Sequence, residues 1–313
     1  MTPGTPGIEA RRLRCWVCGS DRNEPFRTRG IQVPLESQDL RITDARYGLT
    51  LSLVKCVDCG FRFADTDEVS RLESLYAQLD DPGYRESQDS RNLQMRWLVQ
   101  TARGFRPDAT TALDVGAASG LLVAEAQRQG LETIGVEPSR WLVNLARDQQ
   151  GVTVLEGVLP HPELAQRRFD LVFLVDVIEH VADPVGILRH CAERLTERGV
   201  LLLVTPDVGS LAARVLRGRW WHYRLAHVGY FDRHSLCRAF QRARLSPLAW
   251  RRARWFFSVA YLATRLESYF PVGWFNRLAL RTAPLRWLYE RVVPVNLRDS
   301  YVVSLARVEN DDE

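Results

Sequence analysis

Lysine is almost absent from this sequence of 313 residues, in which Lys55 stands beside 41 arginines. So one-sided a ratio is typical of a compositional bias of the whole genome and does not indicate selection for phosphate binding. The 38 acidic residues are scattered nearly as densely as the 42 basic ones, which leaves a net charge of +4. Because a nucleic-acid-binding protein gathers its basic residues on one face, we expect no nucleic-acid partner.

Long apolar segments are missing as well. No run of about 18 apolar residues is present, so the sequence predicts no membrane-spanning helix. The first ten residues are polar and rich in proline and glycine, without the apolar core of a signal peptide. The sequence therefore predicts a cytoplasmic protein. Apolar residues still make up 46% of the chain, enough for one large domain and a smaller one.

Cysteine is also scarce, but four of the six cysteines follow a repeated pattern. Cys15 and Cys18 form one Cys-x-x-Cys-Gly motif, and Cys56 and Cys59 form a second one after 37 intervening residues. Each motif places two thiolates on one side of a tight turn, and two such turns complete a tetrahedral site for a structural zinc ion. Two disulfides or a redox pair are the alternatives.

From residue 110 onward, strand-like and helix-like patterns alternate. Continuous apolar runs, such as the one at 171–175, are typical of parallel strands that are covered on both faces. Strands that alternate with helices predict an α/β fold with a doubly wound, Rossmann-like parallel sheet. The predicted strands are Thr111–Val115, Thr133–Val136, Thr153–Leu155, Leu171–Val175 and Val200–Thr205.

The end of the chain breaks this alternation. Residues 248–257 and 299–308 both have strand patterns and predict a terminal antiparallel pair, with amphipathic helices inserted between them. The predicted domains are a zinc ribbon at 1–66, a helical linker or cap at 67–106, a Rossmann-like domain at 107–248 and the C-terminal strand pair with its helices at 249–313.

A glycine-rich turn, Leu-Asp-Val-Gly-Ala-Ala-Ser-Gly at 113–120, follows the first of these strands. Gly116 permits a tight turn and lets a ligand approach the backbone. Glu137, at the end of the next strand, is placed to accept hydrogen bonds from ribose hydroxyls. Asp114 disfavours a pyrophosphate and favours a cationic ligand such as S-adenosylmethionine, which carries a sulfonium and an ammonium group. A nicotinamide site or a purely structural turn are the alternatives.

Four segments resemble, in order, the successive motifs of class I S-adenosylmethionine-dependent methyltransferases, most of all the ubiquinone-biosynthesis O-methyltransferase type. They are 113–120, Gly-Val-Glu-Pro at 135–138, 169–181, and Leu-Leu-Leu-Val-Thr-Pro at 201–206. The similarity covers about residues 110–240 and implies S-adenosylmethionine as the cofactor.

The same resemblance implies a set of cofactor-binding residues. They are Asp114, Gly116, Ala117 and Gly120 at the amino-acid end, Glu137 with Pro138 at the ribose, Gly157 and Val158 beside the adenine, and Val175 with Asp176 near the transferred methyl group. Neither residue 157 nor residue 158 is acidic, which departs from the family pattern and leaves Glu156 or backbone groups to bind the adenine amine.

The cysteine motifs carry a second resemblance. With the strand before Cys56 and the Phe-Arg-Phe sequence at 61–63, they resemble the N-terminal zinc-binding domain of sugar C-methyltransferases and their relatives. In those proteins the ribbon helps to shape the substrate pocket. The resemblance therefore favours sugars and secondary metabolites as acceptors, although such ribbons also occur on methyltransferases with other substrates.

An aromatic and histidine-rich segment at 219–231 follows the fifth predicted strand, where ligands bind outside the carboxyl ends of a parallel sheet. Its His-x-x-Tyr-Phe end resembles a segment that these methyltransferases place over the pocket. A hydroxyl acceptor needs a base, and histidine can serve near neutral pH. We rank His227 first, His222 second and His180 third as catalytic residues. The alternative is that the aromatic residues of this segment belong to the core.

Two amphipathic stretches, 254–270 and 274–291, carry apolar residues on one face with arginines between them. Such stretches could make peripheral contact with an anionic membrane, or cover a pocket that receives a lipid-linked acceptor. We favour a helical insertion that packs on the sheet or forms a dimer contact.

Together these features predict an S-adenosylmethionine-dependent methyltransferase that acts on a small molecule, a sugar or a lipid-linked glycan, with oxygen as the expected acceptor atom. One alternative is an NAD-dependent oxidoreductase, which Asp114 and the Ala-Ala-Ser turn disfavour. The other is a non-enzymatic module in which the zinc ribbon binds a partner. The intact set of Asp114, Gly116, Gly120 and Glu137 argues against that module.

Overall fold

A computed structural model describes residues 13–28, 30, 35–41, 47–65, 69–78, 80–81, 88–267, 287, 289 and 291–308. The strands in these residues are β1 (Asn23–Arg27), β2 (Leu53–Cys56), β3 (Arg62–Ala64), β4 (Thr111–Val115), β5 (Glu132–Glu137), β6 (Val154–Glu156), β7 (Phe169–Val175), β8 (Leu195–Pro206), β9 (Gly229–Tyr230), β10 (Leu245–Arg252), β11 (Trp255–Ser258), β12 (Val292–Val295) and β13 (Ser300–Arg307). The helices are α1 (Val69–Ala77), α2 (Gln88–Arg103), α3 (Leu121–Arg128), α4 (Arg140–Gln150), α5 (Pro184–Glu193), α6 (Leu211–Leu216), α7 (Arg233–Arg242) and α8 (Val259–Glu267).

The largest sheet has seven strands in the order β10-β13-β8-β7-β4-β5-β6. The five strands from β8 to β6 in this order are parallel, whereas β13 is antiparallel to both of its neighbours. This arrangement confirms the predicted doubly wound α/β sheet with a terminal antiparallel strand. The five strands predicted from the sequence are all present, and β8 begins earlier than predicted, at Leu195.

Side chains of β7 alternate between two helical layers. Leu171 and Phe173 pack in one cluster with residues of α2 and α3. Val172 and Leu174 pack in another cluster with residues of α5 and α7. Because both faces of the strand are covered, the positions from Phe169 to Leu174 are all buried, which explains the continuous apolar run in the sequence.

Polar caps fix where two of the helices begin after their strands. Ser139 caps α4, its hydroxyl accepting a hydrogen bond from the backbone N–H of Leu142 at 3.4 Å. Asp232 caps α7 and exchanges hydrogen bonds with Ser235 in a capping box. Each cap satisfies N–H groups that have no partner within the helix. The helices therefore start close to the strand ends, where the glycine-rich turn also lies.

The second sheet joins the N-terminal segment to the large domain. It has the order β1-β2-β3-β9, all antiparallel, and β9 comes from the segment that follows β8 in the chain. The rings of Phe61 and Phe63 stack with centroids 5.5 Å apart, and Phe61 also contacts Phe231 at 4.6 Å. The predicted domain boundary at residue 66 stays a prediction, and this sheet crosses it.

The structure differs from the prediction at residues 248–257. The single predicted strand is two strands, β10 and β11, and β11 pairs with β12 instead of the large sheet. The reason is geometric, because the partner strand β13 starts at Ser300, and Arg252 is opposite Tyr301. Beyond that pair the chain has no strand to follow and leaves the sheet. The helix predicted to begin at residue 254 therefore begins only at Val259.

Most of the predicted amphipathic stretch 274–291 lies outside the described residues. Its proposed contact with a membrane, a pocket or a second copy of the chain therefore stays a prediction. Among the residues that the structure describes, no helix combines the length and the apolar character needed to cross a membrane.

Candidate active site

Several strand ends meet at one edge of the large sheet. The five parallel strands β4, β5, β6, β7 and β8 end there, and the antiparallel β13 begins there, with Ser300 opposite Pro206. Residues next to these ends are consequently neighbours in space although they are far apart in the chain. The glycine-rich turn, Glu137, Asp176 and Asp299 all lie at this edge.

The turn after β4 needs glycine at two positions. Gly116 and Gly120 have φ angles of +78° and +74°, in the left-handed region that favours glycine. A Cβ atom on Gly116 would lie 2.4 Å from Cγ2 of Val177, and one on Gly120 would lie 2.7 Å from Cγ2 of Val152. Both glycines are therefore required by backbone conformation and by close packing.

Glu137 connects this turn to the start of α4. Its carboxylate accepts hydrogen bonds from the backbone N–H groups of Ala118, at 3.0 Å, and Ser139, at 2.9 Å. Only 1% of Glu137 is exposed. Each carboxylate oxygen has a second acceptor position, so the side chain can still receive two hydroxyl donors from a ligand.

Asp114 and Glu137 form a pair of buried acidic groups. Burial, and next the charge of Glu137, raise the pKa of Asp114 to about 8. Burial raises the pKa of Glu137 to about 7, although its two backbone hydrogen bonds act in the opposite direction. A cation bound beside them would favour the ionised form of both groups. The electrostatics of the turn thus fit a positively charged ligand.

The predicted adenine residues lie next to Glu137. The backbone N–H of Gly157 donates to the carbonyl oxygen of Glu137 at 3.0 Å, and Val158 is 54% exposed. Glu156 is exposed as well, with Arg140 at 3.9 Å from its carboxylate. The structure therefore leaves an apolar side chain and a carboxylate open to solvent beside the turn.

Asp176 occupies a strained position directly after β7. Its φ angle is +53°, uncommon for a residue other than glycine. Desolvation and the charge of Asp299 raise the pKa of Asp176 to about 7, while Arg91 lowers it. Val175 and Asp176 are both half-buried and lie at the same sheet edge as the glycine-rich turn. The structure thus brings together the residues assigned to the amino-acid end of the cofactor and those assigned to its transferred methyl group.

Two of the three predicted histidines lie together. The rings of His180 and His227 meet edge to face with centroids 4.7 Å apart, and Nδ1 of His180 lies 2.8 Å from the carbonyl oxygen of Ala226. Ligand atoms of both histidines and of Glu179 lie within 4.8 Å of one another. This spacing would allow them to hold one metal ion or to exchange a proton. Burial lowers the pKa of His180 to about 4 and that of His227 well below its usual value.

The third histidine stacks on His227, with ring centroids 6.2 Å apart, and also contacts a carboxylate. Nε2 of His222 lies 3.2 Å from Oδ2 of Asp299, and the indole N–H of Trp221 donates to the same oxygen at 2.8 Å. The sequence analysis missed Asp299. Asp299 could have been found as the acidic residue at the start of the last predicted strand. Because that strand is antiparallel to its neighbours, its first residues lie at the carboxyl edge of the sheet. Trp220 is fully buried, which confirms the core alternative for this residue.

The four cysteines of the two motifs also come together. Sγ of Cys15 lies 3.5 Å from Sγ of Cys59, and Sγ of Cys18 lies 3.5 Å from Sγ of Cys56. None of the four forms a disulfide. In a tetrahedral zinc site with bonds of about 2.3 Å, the sulfur atoms are about 3.8 Å apart. The arrangement therefore fits a closed four-thiolate metal site and disfavours the disulfide alternative.

Comparisons with known proteins bear on the large domain. A family model described as a methyltransferase domain matches residues 84–248. A ubiquinone biosynthesis O-methyltransferase of Azorhizobium caulinodans is 31% identical over 157 residues, covering 45% of this chain and 62% of that relative. The one from Acinetobacter baylyi is 27% identical over 184 residues, covering 56% of this chain and 76% of that relative. The chain thus spans less than two thirds of the first of these relatives.

A solved S-adenosylmethionine-dependent methyltransferase from Archaeoglobus fulgidus is similar in structure. The match covers 72% of this chain and 99% of that chain, with a TM-score of 0.49 and 13% identity.

Proposed function

We propose that this chain, which belongs to the methyltransferase-domain family of class I S-adenosylmethionine-dependent methyltransferases, methylates a hydroxyl group. The proposed acceptor is a small molecule, a sugar or a lipid-linked glycan. The observation that carries the proposal is the pair of buried carboxylates, Asp114 and Glu137, on either side of the Gly116 turn. A nicotinamide dinucleotide would bring a pyrophosphate to this acidic turn, which disfavours the oxidoreductase alternative.

The proposed cofactor site extends along the carboxyl edge of the sheet. Asp114 and the turn from Gly116 to Gly120 would hold the amino-acid end, where the ammonium group offsets the buried charge. Glu137 would bind the ribose hydroxyls, and Gly157 and Val158 would lie against the adenine. These three groups of residues follow the strand order β4-β5-β6, so one extended ligand can reach all of them.

Oxygen is the proposed acceptor atom for two reasons. The named relatives are O-methyltransferases, and three histidines near the sheet edge offer a base for a hydroxyl proton. S-adenosylmethionine already carries a strongly electrophilic methyl group, so the protein mainly has to align the acceptor with it. The proposed class of hydroxyl acceptors includes lipid-linked or quinone-like compounds as well as sugars.

Zinc is the proposed ion for the four cysteines. Cys15, Cys18, Cys56 and Cys59 would supply four thiolates and leave no open position, which is typical of a structural site. The ion would hold the two cysteine turns together beside β3. Its proposed role is to stabilise the ribbon, and no part of the methyl transfer is assigned to it.

Calorimetry with S-adenosylhomocysteine and with NAD tests the cofactor assignment. We expect the purified chain to bind S-adenosylhomocysteine and to show no heat of binding with NAD. Binding of NAD alone would support the oxidoreductase, and binding of neither would support a non-enzymatic module. Acceptors are then tested by transfer of a labelled methyl group to catechols, sugars and lipid-linked glycans.

A further inference from the structure

His222 and Asp299 form a histidine–carboxylate pair at the site, with Trp221 as a third member. The carboxylate oxygen Oδ2 of Asp299 lies 3.2 Å from Nε2 of His222 and 2.8 Å from Nε1 of Trp221. The side chain of Asp299 is 2% exposed, whereas that of His222 is 19% exposed. The carboxylate is thus buried between two N–H donors, and the imidazole ring can be reached from outside.

The position of the pair follows from the sheet. Asp299 directly precedes β13, and its carbonyl oxygen accepts a hydrogen bond from the backbone N–H of Asp207 at 2.7 Å. Asp207 follows β8, so this bond ties Asp299 to the carboxyl edge. Asp299 is also close enough to Asp176 for its charge to act on that carboxyl group. Asp176 is one of the two residues assigned to the neighbourhood of the transferred methyl group.

The tautomer of His222 follows from its partner. An ionised carboxylate only accepts hydrogen bonds, so Nε2 of His222 carries the proton in the bond to Asp299. Nδ1 is then the unprotonated nitrogen, which can take a proton from an acceptor. This is the arrangement in which a carboxylate orients a histidine base and stabilises the cation that forms.

The other two histidines are less suited to this task. His227 is 7% exposed, and the desolvation of both His227 and His180 disfavours the protonated form. The environment of each ring therefore opposes the gain of a proton, which a base must achieve during the reaction.

We propose that His222 is the catalytic base for the acceptor hydroxyl and that Asp299 is its positioning residue, an inference that rests on the proposed function. As the acceptor O–H bond breaks, its proton moves to Nδ1 of His222. The oxygen electron pair forms the bond to the methyl carbon, and the pair of the broken carbon–sulfur bond stays on sulfur. His222 then returns its proton to water.

Nitrogen NMR tests the pair without any acceptor. Long-range proton–nitrogen spectra of the full-length ¹⁵N-labelled protein with S-adenosylhomocysteine report the tautomer of each imidazole, and His222→Gln assigns the His222 signals. We expect His222 in the Nε2–H form in the wild type, and a mixture or the opposite tautomer in Asp299→Asn. His234→Gln, an exposed histidine on α7, is the control and leaves the His222 signals unchanged. A wild-type mixture, or an Asp299→Asn spectrum identical to the wild type, overturns the pair.

Kinetics tests the base with 3,4-dihydroxybenzoate as the probe hydroxyl acceptor. We expect His222→Gln to lower kcat by about 10²- to 10⁴-fold, with little change in KM and an unchanged affinity for S-adenosylhomocysteine. Asp299→Asn lowers kcat in the same way, and His234→Gln does not. A His222→Gln enzyme with wild-type kcat overturns the assignment. If the wild type binds no S-adenosylhomocysteine, the proposed function fails, while spectra of the ligand-free protein still decide whether the pair exists.

Discussion

Phe63 of β3 pairs with Gly229 of β9, which makes the cysteine-rich segment and the large domain parts of one sheet. The contact continues inward, because the N–H of Ala64 donates to the carbonyl oxygen of Val228, and the N–H of Val228 donates to that of Glu179, each at 2.9 Å. A chain of backbone hydrogen bonds thus runs from the cysteine motifs to the turn after β7. A change in the structure of the cysteine-rich segment is therefore expected to alter the environment of His180 and His227.

Removal of one cysteine tests the metal site. We expect Cys56→Ser to lose zinc and to lower the melting temperature by about 5 °C or more, because a closed four-thiolate site contributes directly to folding. Zinc content and thermal unfolding are the measurements. Cys237→Ser is the control, since Cys237 lies outside the cluster and is only half-buried. A variant that still holds one zinc ion per chain would refute the four-thiolate assignment.

Glu137→Ala tests the ribose assignment. We expect weaker binding of S-adenosylhomocysteine by about 1–3 kcal/mol, because ligand hydroxyls and two backbone N–H groups lose their acceptor. Calorimetry measures the affinity for the ligand. Thermal unfolding of the ligand-free variant measures how much stability is lost with the hydrogen bonds to Ala118 and Ser139. Glu132→Ala is the matched control, an exposed carboxylate at the other end of the same strand. Equal affinities of the Glu137→Ala and wild-type proteins would contradict the assignment.

Asp114 is expected to make cofactor binding depend on pH. Its pKa rises from 3.8 to about 8 in the fold, so the folded protein holds a proton that the unfolded chain has lost. The stability of the ligand-free protein is therefore expected to fall as the pH rises through this window. The ammonium group of the ligand favours the ionised form of Asp114, so the affinity for S-adenosylhomocysteine should rise about tenfold or more from about pH 6 to about pH 8.

Calorimetry in buffers of different ionisation enthalpy checks this dependence, because binding should release protons near neutral pH. Asp114→Asn is the informative variant, since it keeps the shape of the side chain and removes the titrating group. We expect it to bind more weakly and with a smaller dependence on pH. An affinity that is the same at both pH values in the wild type would show that Asp114 does not face the ligand charge.

Alanine substitutions at two glycines distinguish the energetic cost of a left-handed backbone from that of a steric clash. Gly116 and Gly130 have φ angles of +78° and +84°, but a Cβ on Gly130 would meet nothing within 4 Å. We expect Gly130→Ala to cost about 1 kcal/mol of stability, from the left-handed conformation alone. Gly116→Ala should cost about 2–4 kcal/mol and abolish binding of S-adenosylhomocysteine, because Val177 must also move. Urea unfolding measures the stability of both variants. Equal losses of stability would show that Val177 can move aside without an energetic cost.

Much of the fold could be predicted from the sequence, because the relevant signals are local. The apolar run of β7 and the spacing of Gly116 from Glu137 each depend on residues close together in the chain. The same holds for each cysteine motif. The errors occurred where a strand depends on a distant partner, as at residues 248–257, which separate into two strands because β13 begins at Ser300.

The ranking of the histidines shows where sequence reasoning was insufficient. His227 and His222 are five residues apart and look equally suited to act as a base. The fold buries one beside His180 and gives the other a carboxylate partner 77 residues away. The site roles of all three stay predictions until the variants are measured.

The sequence alone specifies the alternation of strands and helices, the tight turn at Gly116 and the spacing of the two cysteines within each motif, since these follow from backbone conformation and short-range spacing. The tertiary structure decided which distant residues meet, because the strand order of the sheet sets which loops share an edge. Asp299 reached His222 only because the last strand runs antiparallel beside β8, and Phe63 reached Gly229 only because β9 returns to the N-terminal sheet.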